Sequence, residues 1–291
     1  MNNVIHARSV DKAYGNKKVL SGLDLDIASG TVIGLLGRNG AGKTTLLKSV
    51  LGLIRVDKGT LMTMGENAWE LSARGKSRIG YVPQGYRPYP WLQAGQLVEH
   101  TASFYPRWNA ELVERLLREW TIDKAARVGS LSEGEAQKLA IILALGHEPD
   151  LLVFDEPVAS LDPVSRRDFL RMILETVAER PCTVFFSTHI TSDLERVADT
   201  VAVLKSGAID FCGGLDELKD MVKRIRVRAS GVIPQDFGGV GILSRRVQGN
   251  DGVFTVRGYS DSLRPLLERN VGGTIEVEDL NLEEIFLEMT R

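Results

Sequence analysis

What the chain lacks narrows it first. It holds only two cysteines in 291 residues, Cys182 and Cys212, far apart and without metal-ligand spacing. A disulfide-stapled secreted fold and a cysteine-rich metal module are excluded, and the pair reads as reduced, small apolar side chains of a cytosolic protein. The opening Met1-Asn2-Asn3-Val4-Ile5-His6-Ala7-Arg8 has no signal-like apolar stretch. The longest apolar run, Leu139 to Leu145, falls far short of the ~18 residues needed to cross a bilayer. Neither sign of charge dominates: 36 Lys and Arg stand against 38 Asp and Glu, a formal net charge of −2. No overall pull toward nucleic acid or anionic lipid follows. The last 70 residues carry ten charges of each sign, so they are no charged tail. Internal repeats and low-complexity stretches are missing too.

What remains is ordinary globular material, 43% hydrophobic and 25% charged, with enough apolar residues for a core. The length is about twice a typical ~150-residue domain, which predicts one large domain or a large one with an appendage.

Short alternating segments in the first ~30 residues, Val4 to Ala7 and Leu23 to Ile27 among them, are separated by turns at Tyr14-Gly15-Asn16 and Ser29-Gly30 and predict a strand meander. Thr31 to Leu36 is a buried-strand pattern that runs into a glycine-rich turn, and Thr44 to Leu53 has helical periodicity. Residues 85–147 differ in kind. Leu112, Val113, Leu116 and Leu117 share one helical face, and a second helical stretch opens at Leu131 and ends before Pro149. Strands return at 151–154, 183–187 and 200–204, with helical stretches at 163–179 and 190–197 between them, which predicts a parallel core sheet. From 222 onward short strands (224–228, 253–257, 274–277) and two short helices predict a small α+β appendage, with Arg245-Arg246 on a solvated strand face.

The chemistry is carried by Gly37-Arg38-Asn39-Gly40-Ala41-Gly42-Lys43-Thr44, which fits G-x-x-x-x-G-K-[ST] between a strand and a helix. Glycines let backbone N–H groups curl around phosphate oxygens, and the helix N-terminus adds its positive dipole. Lys43 is placed to bridge the terminal phosphates and Thr44, followed by Thr45, to ligate Mg²⁺. The strand Leu151 to Phe154 delivers Asp155 and Glu156 at its carboxyl end, where ligands sit in open α/β sheets. Asp155 suits Mg²⁺; Glu156 suits the general base that polarises the attacking water.

With these residues in order, the chain resembles the nucleotide-binding subunit of an ABC (ATP-binding cassette) transporter over about residues 3–220. The resemblance implies an α/β cassette: N-terminal antiparallel strands, a mainly parallel sheet and a helical subdomain. The cassette spans 1–221, its helical subdomain lies at about 85–147, and a small α+β domain spans 222–291. The resemblance further implies that Tyr14 stacks on adenine and that Gln84 contacts Mg²⁺ and the attacking water. Ser160-Leu161-Asp162 matches the loop that speaks across a dimer interface, and His189 matches the switch histidine at the γ-phosphate.

The family's usual Leu-Ser-Gly-Gly-Gln appears here as Leu131-Ser132-Glu133-Gly134-Glu135. Ser132 and Gly134, expected to face the γ-phosphate of the opposite subunit, are kept. Glu133 and Glu135 weaken closure if they point at the nucleotide and cost little if they face solvent. Locally, Ser132 and Glu135 equally fit an ordinary capping box. Ala136-Gln137-Lys138-Leu139, Phe104-Tyr105-Pro106-Arg107-Trp108 and Leu282 to Leu287 are similar to single-cassette subunits of ABC-2-type exporters.

The function implied is an ATPase motor, peripheral on the inner face of the membrane, that dimerises around two ATP and drives export through separate permease subunits. The second cassette is an identical chain or a relative; no nucleic-acid partner is expected. Tyr86, Tyr89, Pro90, Trp91 and Leu92 supply an aromatic surface for the permease, unless they pack the subdomain's own core. Two other classes compete. One is a soluble cassette ATPase of the ribosome or cofactor assembly. Ribosomal members usually carry two cassettes in one chain and DNA-repair relatives insert a long coiled coil, but this chain has one cassette and no such insertion. A P-loop kinase leaves Ser132, Gly134 and His189 without a role.

Overall fold

A computed structural model describes residues 3–85, 88–159 and 161–291. The chain divides into two compact units, up to Cys212 and from Gly213.

The first unit opens with a hairpin, β1 (Asn3–Tyr14) and β2 (Lys17–Ala28), extended across β1 by β4 (Lys58–Thr63) and the two-residue β5 (Glu66–Asn67), in the order β2-β1-β4-β5. The period-2 pattern of β2 buries Leu23, Leu25 and Ile27. In β1 the register shifts between Ala7 and Val10, next to Ser9 at φ 48°, and the bulge lets both apolar residues point inward although they are three apart.

The second sheet runs β10-β9-β3-β8-β7-β6. It contains β3 (Val32–Gly37), β6 (Ile79–Val82), β7 (Leu151–Asp155), β8 (Thr183–Thr188), β9 (Thr200–Lys205) and β10 (Ala208–Gly214). The pairs β3·β8, β3·β9, β6·β7 and β7·β8 are parallel, as the unbroken apolar runs predict. Every residue of β3, β7 and β8 is buried. Because these strands are parallel, their carboxyl ends share one edge, and the site is built there.

Helix α1 (Lys43–Val50) follows β3 and stops short of the expected Leu53, because Gly52 turns left-handed at φ +67°. After the short α2 (Ala73–Lys76) come α3 (Ala94–Ala102), α4 (Ala110–Glu119) and α5 (Glu133–Leu145). Of the predicted face on α4, Val113, Leu116 and Leu117 are buried. Helix α5 is apolar all round from Leu139 onward and lies in the interior. The Trp108 ring packs so close to Gly146 that a Cβ there would meet it at 2.4 Å. Helices α6 (Pro163–Glu179) and α7 (Thr191–Val197) connect β7 to β8 and β8 to β9. Asp162 caps α6 and Pro163 fills its first position. Both cysteines are free: Cys182 is buried and its thiol pushed up to about 11 by desolvation, whereas Cys212 is exposed.

The second unit begins with α8 (Leu215–Met221) and carries a four-stranded antiparallel sheet. Its order is β12-β13-β11-β14, from β11 (Val222–Ala229), β12 (Gly241–Gln248), β13 (Asp251–Arg257) and β14 (Gly273–Asp279). Two further helices are α9 (Arg264–Val271) and α10 (Leu282–Met289). Ile225, Phe254, Val256 and Leu267 form its core, with Phe237 edge-on to Phe254 at 4.6 Å. Strand β12 carries Arg245 and Arg246 on an exposed strand face, as expected, but its extent is not marked by any alternating apolar pattern. It is an edge strand with a polar, largely exposed sequence, so the alternation that betrays a strand is missing. Among the described residues no helix is long and apolar enough to cross a membrane.

Candidate active site

The chain leaving β3 forms the glycine loop. Gly40 and Gly42 hold φ of +81° and +110°, and a Cβ on Gly42 would approach the Val19 carbonyl at 3.0 Å, so the sequence needs glycine there. Ala41 N–H donates to Arg38 O at 3.0 Å, closing the turn. Helix α1 then starts with no side-chain cap and no acidic residue in its first turn. Its leading N–H groups are left for an anion.

Lys43, the first residue of α1, is 7% exposed. Its Nζ donates to Gly37 O at 2.8 Å and lies 3.2 Å from Glu156 Oε1. The other oxygen of Glu156 is 2.7 Å from His189 Nδ1. Glu156 itself stands at φ +52°, an uncommon region for a residue with a Cβ. Asp155, 1% exposed at the end of β7, accepts the Ser187 hydroxyl at 2.8 Å.

Lys43, Glu156 and His189 border a cleft of about 540 Å³ also lined by Asn39, Gly40, Gly42, Thr44, Thr45 and Gln84, while Asp155 lies buried behind it. Arg38 of the glycine loop lines it as well, together with Lys17 and Val19, which carry no sequence signal beyond their nearness to the loop. Tyr14 lies outside this lining. It is 48% exposed and pairs across the hairpin with Lys17, and its ring carries the Lys12 ammonium at 5.6 Å. Thr44, Gln84 and Asp155 offer a hydroxyl, an amide and a carboxylate in this region. Among the described residues, no three His, Cys, Asp or Glu side chains gather into a metal site. Such an oxygen set suits Mg²⁺, which is commonly held by one or two carboxylates together with substrate phosphates.

Ser132, Gly134 and Asp162 do not line the cleft. Ser132 caps α5 in a capping box: Glu135 N–H donates to its Oγ at 3.2 Å, and Glu135 Oε2 accepts the Ser132 N–H at 2.8 Å. Hydrogen bonds from Ser132 hold the Glu135 carboxyl below its ordinary range. Asp162 accepts from Val164 N and Ser165 N at 2.9 and 3.1 Å. The Ser165 hydroxyl is the first cause that lowers its carboxyl to about 2. Ser160 and Tyr86 lie outside the described residues.

A second depression, about 350 Å³, is lined by Pro88, Tyr89, His100, Phe104, Tyr105 and His147 among others. Tyr89, His100 and Phe104 meet edge to face at 5.3 and 5.0 Å, while Trp91 and Phe104 are 68% and 69% exposed.

Residues 20–159 match the family described as ABC transporter. The chain is 32% identical over 256 residues to the sulfate/thiosulfate import ATP-binding protein CysA of Methylococcus capsulatus, covering 84% of this chain and 71% of that one. It is 35% identical over 212 residues to the Nod factor export ATP-binding protein I of Burkholderia orbicola, covering 70% and 68%. The chain belongs to the ABC transporter ATP-binding family. Its cassette superposes on a solved ATP-binding subunit of an ABC transporter with a TM-score of 0.68 at 26% identity, over 74% of this chain and 92% of that one. As an ABC ATP-binding subunit it binds nucleotide and is an ATPase coupled to transport.

Proposed function

We propose that this subunit hydrolyses Mg²⁺-bound ATP between two cassettes and drives export through separate transmembrane permease subunits from the cytoplasmic face. The observation that carries the reading is the Glu156 carboxylate on the cleft, set between Lys43 Nζ at 3.2 Å and His189 Nδ1 at 2.7 Å. In that reading the N–H groups of the Gly37–Thr44 loop cradle the phosphates, and Lys43 exchanges Glu156 for the terminal phosphates. Glu156, freed of Lys43, accepts the proton of the attacking water; Gln84 and His189 orient water and γ-phosphate. Thr44, Asp155 and Gln84 hold Mg²⁺, which neutralises developing charge on the phosphates. Tyr14 stacks on the adenine.

Ser132 and Gly134 lie away from the chain's own cleft, which supports their facing the nucleotide of a second cassette, with Asp162 at the shared interface. ATP closes the pair because those donors gain phosphate contacts only in the closed state, and hydrolysis removes them. The second cassette is an identical chain or a relative. The exposed aromatics Tyr89, Trp91 and Phe104 form the surface for the permease. Relatives named for import and for export both align with the chain. The export reading rests on Leu131 to Leu139 and on Phe104 to Trp108, which resemble ABC-2-type exporters.

Size-exclusion chromatography with light scattering on Glu156→Gln tests the proposal. With ATP the variant elutes at twice 32.0 kDa and turns over no ATP. Monomer in saturating ATP, or turnover at the unsubstituted rate, overturns it.

A further inference from the structure

The end of β7 has to present Asp155 and Glu156 in two different directions, and a third side chain sets both. The parallel ladder of β7 and β8 ends on the rung Asp155↔Ser187. One residue later the backbone turns left-handed at Glu156, φ +52°, and its N–H leaves the ladder. That N–H donates to the Ser187 hydroxyl at 3.0 Å instead. Having accepted there, the hydroxyl has a single proton to give, and it gives it to Asp155 Oδ1 at 2.8 Å. Ser187 is fully buried, with Leu35 of β3 as its partner on the other side.

We infer that Ser187 is a positioning residue for ATP hydrolysis: one hydroxyl fixes the Asp155 carboxylate and stabilises the left-handed turn that aims Glu156 between Lys43 and His189. The inference rests on the roles of Asp155 and Glu156 proposed above. Physically it is a two-sided dependence. Without the hydroxyl, a part-buried N–H and a buried carboxylate oxygen both lose their partner, and the turn loses the bond that holds its strained backbone. Loss of a group that orients a ligating carboxylate typically costs about tenfold to a hundredfold in metal affinity or activity. The effect falls on Mg²⁺ use and the chemical step, because the two bonds of the Ser187 hydroxyl go to Asp155 and Glu156.

The test uses the full-length protein with Ser187→Ala and Ser187→Thr, beside Glu156→Gln. Hydrogen exchange of the nucleotide-free protein is the readout that needs neither metal nor turnover. Ser187→Ala speeds exchange in the peptide over residues 151–158, while Ser187→Thr, which keeps the hydroxyl, leaves it protected. With ATP, Ser187→Ala binds Mg²⁺-free nucleotide within about twofold of the unsubstituted protein. It needs about tenfold more Mg²⁺ for half-maximal hydrolysis and has a lower kcat, and Ser187→Thr restores most of both. Unchanged exchange and an unchanged Mg²⁺ requirement in Ser187→Ala, with Glu156→Gln inactive, overturn the role of Ser187 alone. Normal turnover in Glu156→Gln overturns the underlying reading of the site.

Discussion

The hydroxyl of Ser132 donates to Glu135 at 2.7 Å, so the serine expected to meet a nucleotide across the dimer is occupied by a carboxylate of its own helix. Ser132 must leave that bond before its hydroxyl can turn to phosphate, and the negative charge stays beside it. Glu135→Gln keeps the capping geometry, since glutamine serves equally at that position, and removes the charge. ATP-driven dimerisation tightens by about threefold at low salt, with the gain fading at high salt. Light scattering across an ATP titration reads it. Glu133 is exposed, and Glu133→Gly leaves hydrolysis unchanged.

Lys43 is paired with Glu156 at 3.2 Å with both side chains under one-tenth exposed. An ammonium that hydrogen-bonds phosphate contributes about 1.5–3 kcal/mol. Lys43→Ala therefore weakens Mg²⁺-free ATP binding by roughly tenfold to a hundredfold. Equilibrium binding of a fluorescent ATP analogue checks this, and an unchanged affinity removes Lys43 from the phosphate site.

His147 is buried against Tyr105, ring centroids 3.9 Å apart, and its Nε2 bonds the Ile79 carbonyl at 3.1 Å. Desolvation pushes its pKa from 6.5 down to about 4. Between those values the unfolded chain binds the proton more strongly. The stability contributed by the neutral ring is complete above about pH 6.5 and is lost as pH falls toward 4, about 2–3 kcal/mol across the window. Thermal unfolding midpoints measured from pH 7.5 to 4.5 fall steeply for the unsubstituted protein. His147→Phe, which keeps the stack, flattens that part of the curve.

Much of this molecule is legible in its sequence where one residue type can do one job. Gly40 and Gly42 are dictated by left-handed backbone, and Asp162 followed by Pro163 marks the start of α6 at the expected residue. Strands buried on both faces announce themselves as unbroken apolar runs. Edge strand β12 does not, because none of its residues is fully buried and so no apolar period is imposed on it. Ser187 is invisible for another reason. A serine near the end of an apolar strand carries no spacing signal, and only the fold sets its hydroxyl between the Glu156 N–H and Asp155.

A motor of this kind works attached to a separate membrane partner. The most direct measurement is affinity capture of tagged Glu156→Gln protein from detergent-solubilised native membranes with ATP present, with partners identified by mass spectrometry. A multi-span membrane protein in stoichiometric amount is the expected result. Its loss should follow replacement of Trp91 and Phe104, both largely exposed, with alanine. Recovery from the soluble fraction alone, with ribosomal or assembly proteins, would contradict it.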